Sequence, residues 1–172
     1  MNVWYSLSDI PGNEASVVTI GNFDGMHNGH KKVISTCIER AHKLGVDAVA
    51  ITFDPHPIQV HKPEVGLQLI SPLRDRLDAM AAAGLDATLV AHYDASVYSL
   101  EAEEFVYEYL VERCGAREVV VGEDFRFGRG NAGTIDTLRE LGRRYGFNVI
   151  TVTDIEAPEG RRWSSSWVRE LL

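Results

Sequence analysis

The strongest constraint on the fold is a strict alternation of two sequence patterns. Five short, apolar, β-branched runs recur along the chain, and amphipathic helical patterns separate them. Such runs, bounded by Gly, Asp or Pro, are typical of strands buried on both faces. The alternation predicts an α/β fold, a doubly wound five-stranded parallel sheet with helices on both faces. The predicted strands are residues 16–23, 47–53, 87–92, 118–122 and 148–153.

Helix-end signals divide the chain between these runs. Ser71-Pro72 offers an N-cap followed by proline at the first helical position. Glycines able to adopt positive φ follow the helical patterns, at Gly45, Gly84, Gly115 and Gly146. A chain of 172 residues, 45% hydrophobic and 24% charged, predicts a single domain spanning 1–172. The last predicted helix reaches Leu172 without a capping residue, which is a hint of a fragment.

Charge and hydropathy exclude two classes of partner. The formal net charge is −8 and the pI about 5.2, whereas nucleic-acid binding needs a clustered basic surface. The chain shows no signal-peptide pattern and no apolar run as long as a membrane span. We expect a soluble, cytoplasmic protein that binds neither nucleic acid nor membrane. Cys37 and Cys114 fall on apolar helix faces and predict neither a disulfide nor a metal site.

The turn after the first predicted strand carries the most specific motif, Phe-Asp-Gly-Met-His-Asn-Gly-His at residues 23–30. Amides at a helix start are unpaired and partly positive, and glycines let a ligand approach the backbone. If His27 caps the helix and His30 lies in its first turn, both rings face one side. Their N–H groups would donate to phosphate oxygens and follow the charge on a leaving pyrophosphate. The motif predicts a nucleotide triphosphate site.

Two other interpretations of this motif stay open. The histidines could be solvated loop residues, although Gly25 and Gly29, between a strand and a helix, favour a built site. A metal hydrolase is the second alternative, since nitrogen and oxygen ligands suit zinc. Its ligands would come from Asp24, His27, His30, Asp54 and His56. The chain has neither a Walker A loop nor a Gly-x-Gly-x-x-Gly fingerprint.

Three further segments lie at the expected carboxyl edge of the sheet, where open α/β folds bind ligands. Residues 162–169 combine three serines at a helix start with Arg169, which suits bidentate phosphate binding. In residues 122–130, Phe125 and Phe127 alternate with arginines and predict a mobile platform for a planar ring. A glycine-rich loop pinned by one buried Phe is the alternative there. Prolines stiffen residues 52–57. We interpret His42, His61 and His92 as surface or structural histidines.

Together these motifs resemble the FAD synthetase module, the FMN adenylyltransferase half of prokaryotic bifunctional riboflavin kinase/FAD synthetases. The matching stretches are residues 19–30, 52–57, 121–128 and 162–169, and the resemblance runs from about Ser16 to the end. It implies a Rossmann-like nucleotidyltransferase fold of the His-x-Gly-His type. It also implies that ATP and FMN give FAD and pyrophosphate, with Mg²⁺, by direct in-line transfer without a covalent enzyme intermediate.

The resemblance also implies a role for each matching residue. His27, His30 and Arg169 would be catalytic, because they bind the triphosphate and stabilise the transition state. The ATP side would comprise Gly21, Asn22, Phe23, Asp24, Gly25, Gly29, Arg162, Ser164, Ser165 and Ser166. The flavin side or its lid would comprise Phe53, His56, Pro57, Asp124, Phe125, Arg126 and Phe127. Metal ligands are not assigned.

Two alternatives to FMN adenylylation stay open. One is an adenylyl- or cytidylyltransferase for another small phosphorylated substrate, which the aromatic loop around Phe125 and Phe127 disfavours because it suits a large planar ring. The other is a non-catalytic flavin- or nucleotide-binding relative. Synthesis of FAD from ATP and FMN separates both from the synthetase.

The resemblance includes no counterpart of the riboflavin kinase domain. We therefore expect the purified 172-residue chain to adenylylate FMN and to leave riboflavin unphosphorylated. Chromatography of riboflavin incubated with ATP and Mg²⁺ measures this, and formation of FMN would contradict the expectation.

Overall fold

The computed structural model describes residues 1–153, which form an α/β fold around a six-stranded, entirely parallel sheet. The strands are ordered β1-β4-β3-β2-β5-β6 across the sheet. Their bounds are β1 Asn2–Trp4, β2 Ser16–Ile20, β3 Asp47–Asp54, β4 Ala87–His92, β5 Ala116–Gly122 and β6 Asn148–Val152. The predicted doubly wound parallel sheet is confirmed, and each of the five predicted strands is present.

Helices connect the strands and cover both faces of the sheet. They are α1 Asn28–Leu44, α2 Pro57–His61, α3 Leu73–Ala83, α4 Ala95–Tyr98, α5 Ala102–Phe105 and α6 Ile135–Tyr145. A π-helical segment, Val106–Arg113, continues α5, and short 3-10 turns occur at Leu7–Asp9, Pro63–Val65 and Arg129–Asn131. In the part of the chain that the structure describes, no helix is both long enough and apolar enough to cross a membrane.

The predicted helix ends are confirmed in part. Gly45, Gly84 and Gly146 adopt left-handed conformations at the C-caps of α1, α3 and α6. The predicted N-cap at Ser71 is wrong, because Pro72 occupies that position of α3. The Ser71 hydroxyl instead accepts a hydrogen bond from the Gly25 amide at 3.3 Å, so a tertiary contact has taken the group that a local cap would use.

The predicted strand number, five, is wrong because β1 was missed. This strand pairs with β4 at the sheet edge, with Asn2 opposite Ala87 and Trp4 opposite Leu89. It is three residues long and has a neighbour on one side only. A strand this short shows no recognisable period, so its pairing depends on the exposed edge that β4 offers.

Side chains alternate between two core layers along each strand. On one face, Val17, Ala48 and Ala50 pack in a cluster with Ile34 and Cys37 of α1. The opposite face holds a larger cluster from β2 to β5, the α5 region and α6, which includes Val18, Ile51, Leu89, Val119, Phe105, Leu110 and Leu138. Burial raises the pKa of both the Cys37 and Cys114 thiols to about 12, so both are packed as small hydrophobes.

The strand order reverses between β2 and β5, which defines where a ligand binds. After β2 the chain builds β3 and β4 on one side and then crosses to β5 and β6 on the other. Because all strands are parallel, the loops after β2, β3, β4 and β5 meet outside one edge of the sheet. At the opposite, amino end of the strands an ion pair holds α1 against β5: Arg40 donates two hydrogen bonds, at 2.7 and 2.8 Å, to the buried Glu118.

Gly115 immediately precedes β5, and a substitution there tests how tightly the amino end of this strand is packed. Its φ is +56°, and an added Cβ would overlap the Glu14 carbonyl oxygen. We expect Gly115→Ala to lower the free energy of unfolding by about 3 kcal/mol, measured by urea denaturation. Gly146→Ala is the matched control, because its φ is +90° but nothing lies within 4 Å of the added Cβ. Its expected cost is about 1 kcal/mol, and equal losses would contradict the packing argument.

Candidate active site

The turn that follows β2 is held in an unusual backbone conformation. Phe23 and Met26 have φ of 52° and 41°, in the left-handed region that non-glycine residues rarely adopt. The Phe23 side chain is buried, and its ring lies 3.0 Å from where a Cβ on Gly21 would be. Burial of this ring and the space left by Gly21 stabilise a turn that the backbone alone would not favour.

The two motif histidines lie together at the start of α1, as predicted. His27 is the N-cap, and its Nδ1 accepts a hydrogen bond from the His30 amide at 3.3 Å. The two rings stack with their centroids 3.5 Å apart. Gly29 makes this arrangement possible, because a Cβ there would lie 2.9 Å from Cε1 of His27. Since Nδ1 accepts a hydrogen bond, neutral His27 carries its proton on Nε2.

His30 is neutral at physiological pH. Burial, and secondarily the neighbouring His27, lower the pKa of His30 to about 3. The edge of its ring meets Phe23, with the centroids 5.5 Å apart. Its Nδ1 is buried and has no hydrogen-bond partner among the described residues. A neutral imidazole still offers one N–H donor, so the pair can stabilise phosphate charge by hydrogen bonding.

Asp24 anchors the turn to the segment that precedes α3. Its carboxylate is buried and accepts hydrogen bonds from the amides of Ile70, at 3.0 and 3.1 Å, and of Ser71, at 3.1 Å. The Gly25 amide returns a bond to the Ser71 hydroxyl. Asp24, predicted as an ATP-binding residue, therefore has a structural role in shaping the turn.

A cavity of about 330 Å³ opens beside the turn at the carboxyl edge of the sheet. Of the predicted ATP-side residues, Gly21 and Asn22 line it. Of the predicted flavin-side residues it is lined by Phe53, His56, Pro57, Phe125, Arg126 and Phe127. The structure therefore brings most of the predicted flavin side together with Gly21 and Asn22 on one cavity. The other described residues predicted for the ATP side or for catalysis are not among those that line it: Phe23, Asp24, Gly25, His27, Gly29 and His30. Asp124 is separate, because its side chain is exposed and lines a groove with Glu123 and Thr134.

The aromatic loop after β5 is anchored, so the prediction of a mobile platform is wrong. Phe127 is buried and exchanges backbone hydrogen bonds with Gly133 at 3.1 and 2.8 Å. The Arg129 amide donates to the Leu100 carbonyl at 2.8 Å. Phe125 stacks on Phe127 with centroids 5.5 Å apart and an interplanar angle of 12°. The alternative interpretation, a glycine-rich loop pinned by one buried Phe, fits the structure, and Phe125 and Phe127 both line the cavity.

Sequence reasoning missed the contribution of the loop after β4. Tyr93, Tyr98 and Phe105 line the cavity, and Tyr93 meets Phe53 edge-on with centroids 5.7 Å apart. His61, interpreted as a surface or structural histidine, is bonded through Nε2 to the Tyr93 hydroxyl at 2.6 Å. The sequence offers one signal that Tyr93 lies at the site: it follows the carboxyl end of a predicted buried strand, as the motif residues do.

The other predicted site residues fall outside the described range or in other roles. The predicted phosphate-binding residues Arg162, Ser164, Ser165, Ser166 and Arg169 lie beyond residue 153, outside the described residues. Within residues 1–153 no three His, Cys, Asp or Glu side chains are arranged to hold a metal ion. Three of the ligands that a metal hydrolase would need are already engaged in hydrogen bonds. The Asp24 carboxylate accepts from backbone amides, and Nδ1 of both His27 and His56 accepts a backbone hydrogen bond as a helix cap.

A parallel sheet with a His-x-Gly-His turn between its first central strand and helix defines a nucleotidyltransferase-type α/β protein. Comparison with known families is more specific. The FAD synthetase family model matches residues 9–167, and the chain belongs to that family.

Named relatives agree with this assignment. The bifunctional riboflavin kinase/FMN adenylyltransferase of Escherichia coli (strain K12) is 34% identical over 98% of this chain, and that of Pseudomonas fluorescens is 36% identical over 94%. The chain spans about half the length of these two relatives, 53% and 51%. A protein of Geobacillus thermodenitrificans, whose name gives the same two activities provisionally, is 38% identical over 95% of this chain and 84% of its own length.

Solved structures confirm the fold. A Streptococcus pneumoniae structure named macrolide-efflux protein superposes with a TM-score of 0.81 at 25% identity, covering 98% of this chain and 54% of that one. Pantothenate synthetase from Thermus thermophilus superposes with a TM-score of 0.60 at 15% identity, covering 98% of this chain and 67% of that one. At that identity the second likeness concerns the fold alone.

The low pKa of His30 predicts a pH-dependent stability. The folded protein keeps His30 neutral down to about pH 3, whereas the unfolded chain protonates it below its ordinary pKa of 6.5. The contribution to stability is therefore complete above pH 6.5 and is lost as pH falls towards 3. Between pH 7 and pH 5 this loss is about 2 kcal/mol.

Urea denaturation at pH 7 and pH 5 measures this loss. His30→Gln should depend on pH by about 2 kcal/mol less than the parent chain over this interval. His42→Gln is the control, because His42 lies exposed on the same helix. If the His30 variant loses as much stability as the parent between the two pH values, the burial argument fails.

Proposed function

We propose that this chain transfers the adenylyl group of MgATP to FMN and releases FAD and pyrophosphate. The observation that carries the proposal is the shared cavity. Gly21 and Asn22 lead into the turn that carries His27 and His30, called here the histidine turn. They line the same space as Phe53 and Phe125. An aromatic pocket for a planar ring thus adjoins a turn suited to a triphosphate, as a reaction that joins FMN to a nucleotide requires.

The proposed reaction is a direct displacement at the α-phosphorus of ATP. An oxygen of the FMN phosphate forms the new bond, the bond to the oxygen bridging to the β-phosphate breaks, and the electron pair leaves with pyrophosphate. The nucleophile is already ionised, so no general base is needed. The enzyme's task is to align the two phosphates and to offset the charge that develops on the leaving group.

His27 and His30 suit that second task. Because His30 is neutral, the two rings do not place like charges 3.5 Å apart, and each ring still presents an N–H donor. The Asn28 and Gly29 amides, the first of α1, have no carbonyl partner within the helix and add donors of partial positive charge. We propose that these groups bind the triphosphate. Arg162, Ser164, Ser165, Ser166 and Arg169 are proposed, from the family resemblance alone, to bind its β- and γ-phosphates.

The aromatic cavity suits the flavin ring. Phe125 and Phe127 lie nearly parallel, which provides a face for stacking, while Phe53 and Tyr93 contact each other edge-to-face in the lining of the pocket. His56 lines the same cavity, and because its Nδ1 accepts the Ile58 amide, its neutral ring carries the proton on Nε2. A substrate without a large planar ring would leave this apolar wall exposed.

Three further points are part of the proposal. Mg²⁺ is proposed to enter with ATP, since this ion usually binds through substrate phosphates. Residues 1–172 are proposed to form one FMN adenylyltransferase domain. Its proposed location is the cytoplasm, where ATP is available.

Chromatographic detection of FAD tests the proposal directly. The chain incubated with ATP, Mg²⁺ and FMN should form FAD and pyrophosphate in equal amounts. We expect His30→Ala to lower kcat about 10²-fold to 10³-fold and to change the Kd for FMN less than threefold, because its contact forms mainly in the transition state.

Two other variants are the controls for this experiment. His42→Ala, on the exposed face of α1, should keep the parent activity. Phe125→Ala should do the reverse of His30→Ala, weakening FMN binding about tenfold through loss of a stacking surface. A folded chain that binds both substrates and makes no FAD would favour the non-catalytic alternative. A drop in flavin affinity alone for the His30 variant would contradict the assigned role.

A further inference from the structure

Arg76 is a buried cation on the helix that packs behind the active-site turn. It occupies α3 in line with Leu73, Leu77 and Met80, a helical face otherwise made of apolar side chains. Only 1% of its surface is exposed. Placing a guanidinium there costs free energy that leucine or methionine would not cost, so its presence needs a reason other than packing.

The guanidinium binds the backbone at the start of the histidine turn. Its Nη1 donates to the Asn22 carbonyl at 2.7 Å and lies 3.3 Å from the Thr52 hydroxyl. The Thr52 hydroxyl donates to the same Asn22 carbonyl at 3.1 Å. Asn22 belongs to the turn that leads to the two histidines, and Thr52 immediately precedes Phe53 of the aromatic cavity. Arg76 therefore contacts the turn directly at Asn22 and is linked to the aromatic side only through Thr52, the neighbour of Phe53.

The described residues compensate this cation only in part. No carboxylate among residues 1–153 lies within 4.0 Å of it as an ion pair, and its Nε and Nη2 have no hydrogen-bond partner in that range. Burial lowers the pKa of Arg76, and the nearby charges of Asp24 and Asp54 oppose that effect. A buried ion that is under-satisfied is a poor contributor to stability, whereas the bond to Asn22 is short and charge-assisted.

We propose that Arg76 is a positioning residue for adenylyl transfer, which holds the Asn22 carbonyl and so fixes the histidine turn relative to β3. This rests on the proposed function both for the reaction and for nucleotide binding at the turn, and the two are measured separately below. Arg76 acts through Asn22 and Thr52 and does not touch the substrates. Without Arg76 the histidine turn can shift relative to the aromatic cavity, and small displacements of reacting groups lower the reaction rate strongly.

Separate binding and rate measurements on Arg76→Met test the inference. The binding probes are α,β-methylene-ATP with Mg²⁺, which cannot undergo the transfer, and FMN. We expect the Kd for the nucleotide analogue to rise about tenfold and kcat to fall about 10-fold to 100-fold, with the Kd for FMN within about threefold of the parent. Arg76→Lys retains a charged donor and should recover most of the lost kcat, to within about fivefold of the parent.

Arg74→Met is the matched control, since Arg74 is an exposed arginine on the same helix. It should leave both Kd values and kcat unchanged. If Arg76→Met does not fold, Thr52→Val is measured instead. That change removes the hydroxyl shared by Arg76 and Asn22, and it should lower kcat about threefold to tenfold with the FMN Kd preserved.

The outcomes separate this inference from the proposed function. A parent chain that makes no FAD would refute the proposed function, whereas weaker analogue binding by Arg76→Met would still support the role at the turn. Equal behaviour of the Arg76 and Arg74 variants overturns the inference. The inference is also overturned if Arg76→Met lowers nucleotide affinity, FMN affinity and the melting temperature in proportion and Arg76→Lys does not restore them. That pattern describes a purely structural residue.

Discussion

The parallel pairing of β2 with β3 on one side and β5 on the other is the constraint on which the site depends. Val18 lies opposite Val49 and Val119 in these two pairings, so all three strands end at the same edge. The chain moves outwards from β2 in both directions, which leaves a crevice where the order reverses. The histidine turn and the aromatic loop adjoin for this reason, although about 100 residues separate them along the chain.

Buried polar contacts fix the loops at the carboxyl edge of the sheet. Asp24 binds the amides of Ile70 and Ser71, and Phe127 pairs with Gly133 across the aromatic loop. Each contact satisfies groups that would be costly to bury unpaired. A site that aligns two phosphates for displacement gains rate from such fixed geometry, because alignment is completed before the substrates bind. The stacked histidine pair belongs to the same design, since His30 is neutral and the two rings therefore do not repel each other as like charges.

Much of the fold was predictable because its signals are local. Each of the predicted buried runs is a strand, and glycines end α1, α3 and α6 as expected. The failures share a physical cause: β1 depends on a neighbour's edge, and Ser71 bonds across the fold to Gly25. The aromatic loop, predicted to be mobile, is fixed by a bridge to Gly133 and a bond to Leu100. Local composition contains no information about such partners.

The sequence by itself determined the succession along the chain of strands β2 to β6 with helical segments between them, the histidine turn at the start of α1, and family membership. All three depend on the spacing of residues that are close in sequence. Tertiary structure alone decided which side chains meet. It brought Tyr93 and Tyr98 to the cavity, assigned Asp124 to another groove, and buried Arg76 beneath Asn22. Those outcomes follow from strand order and helix packing, which bring distant residues together through interactions that no local pattern encodes.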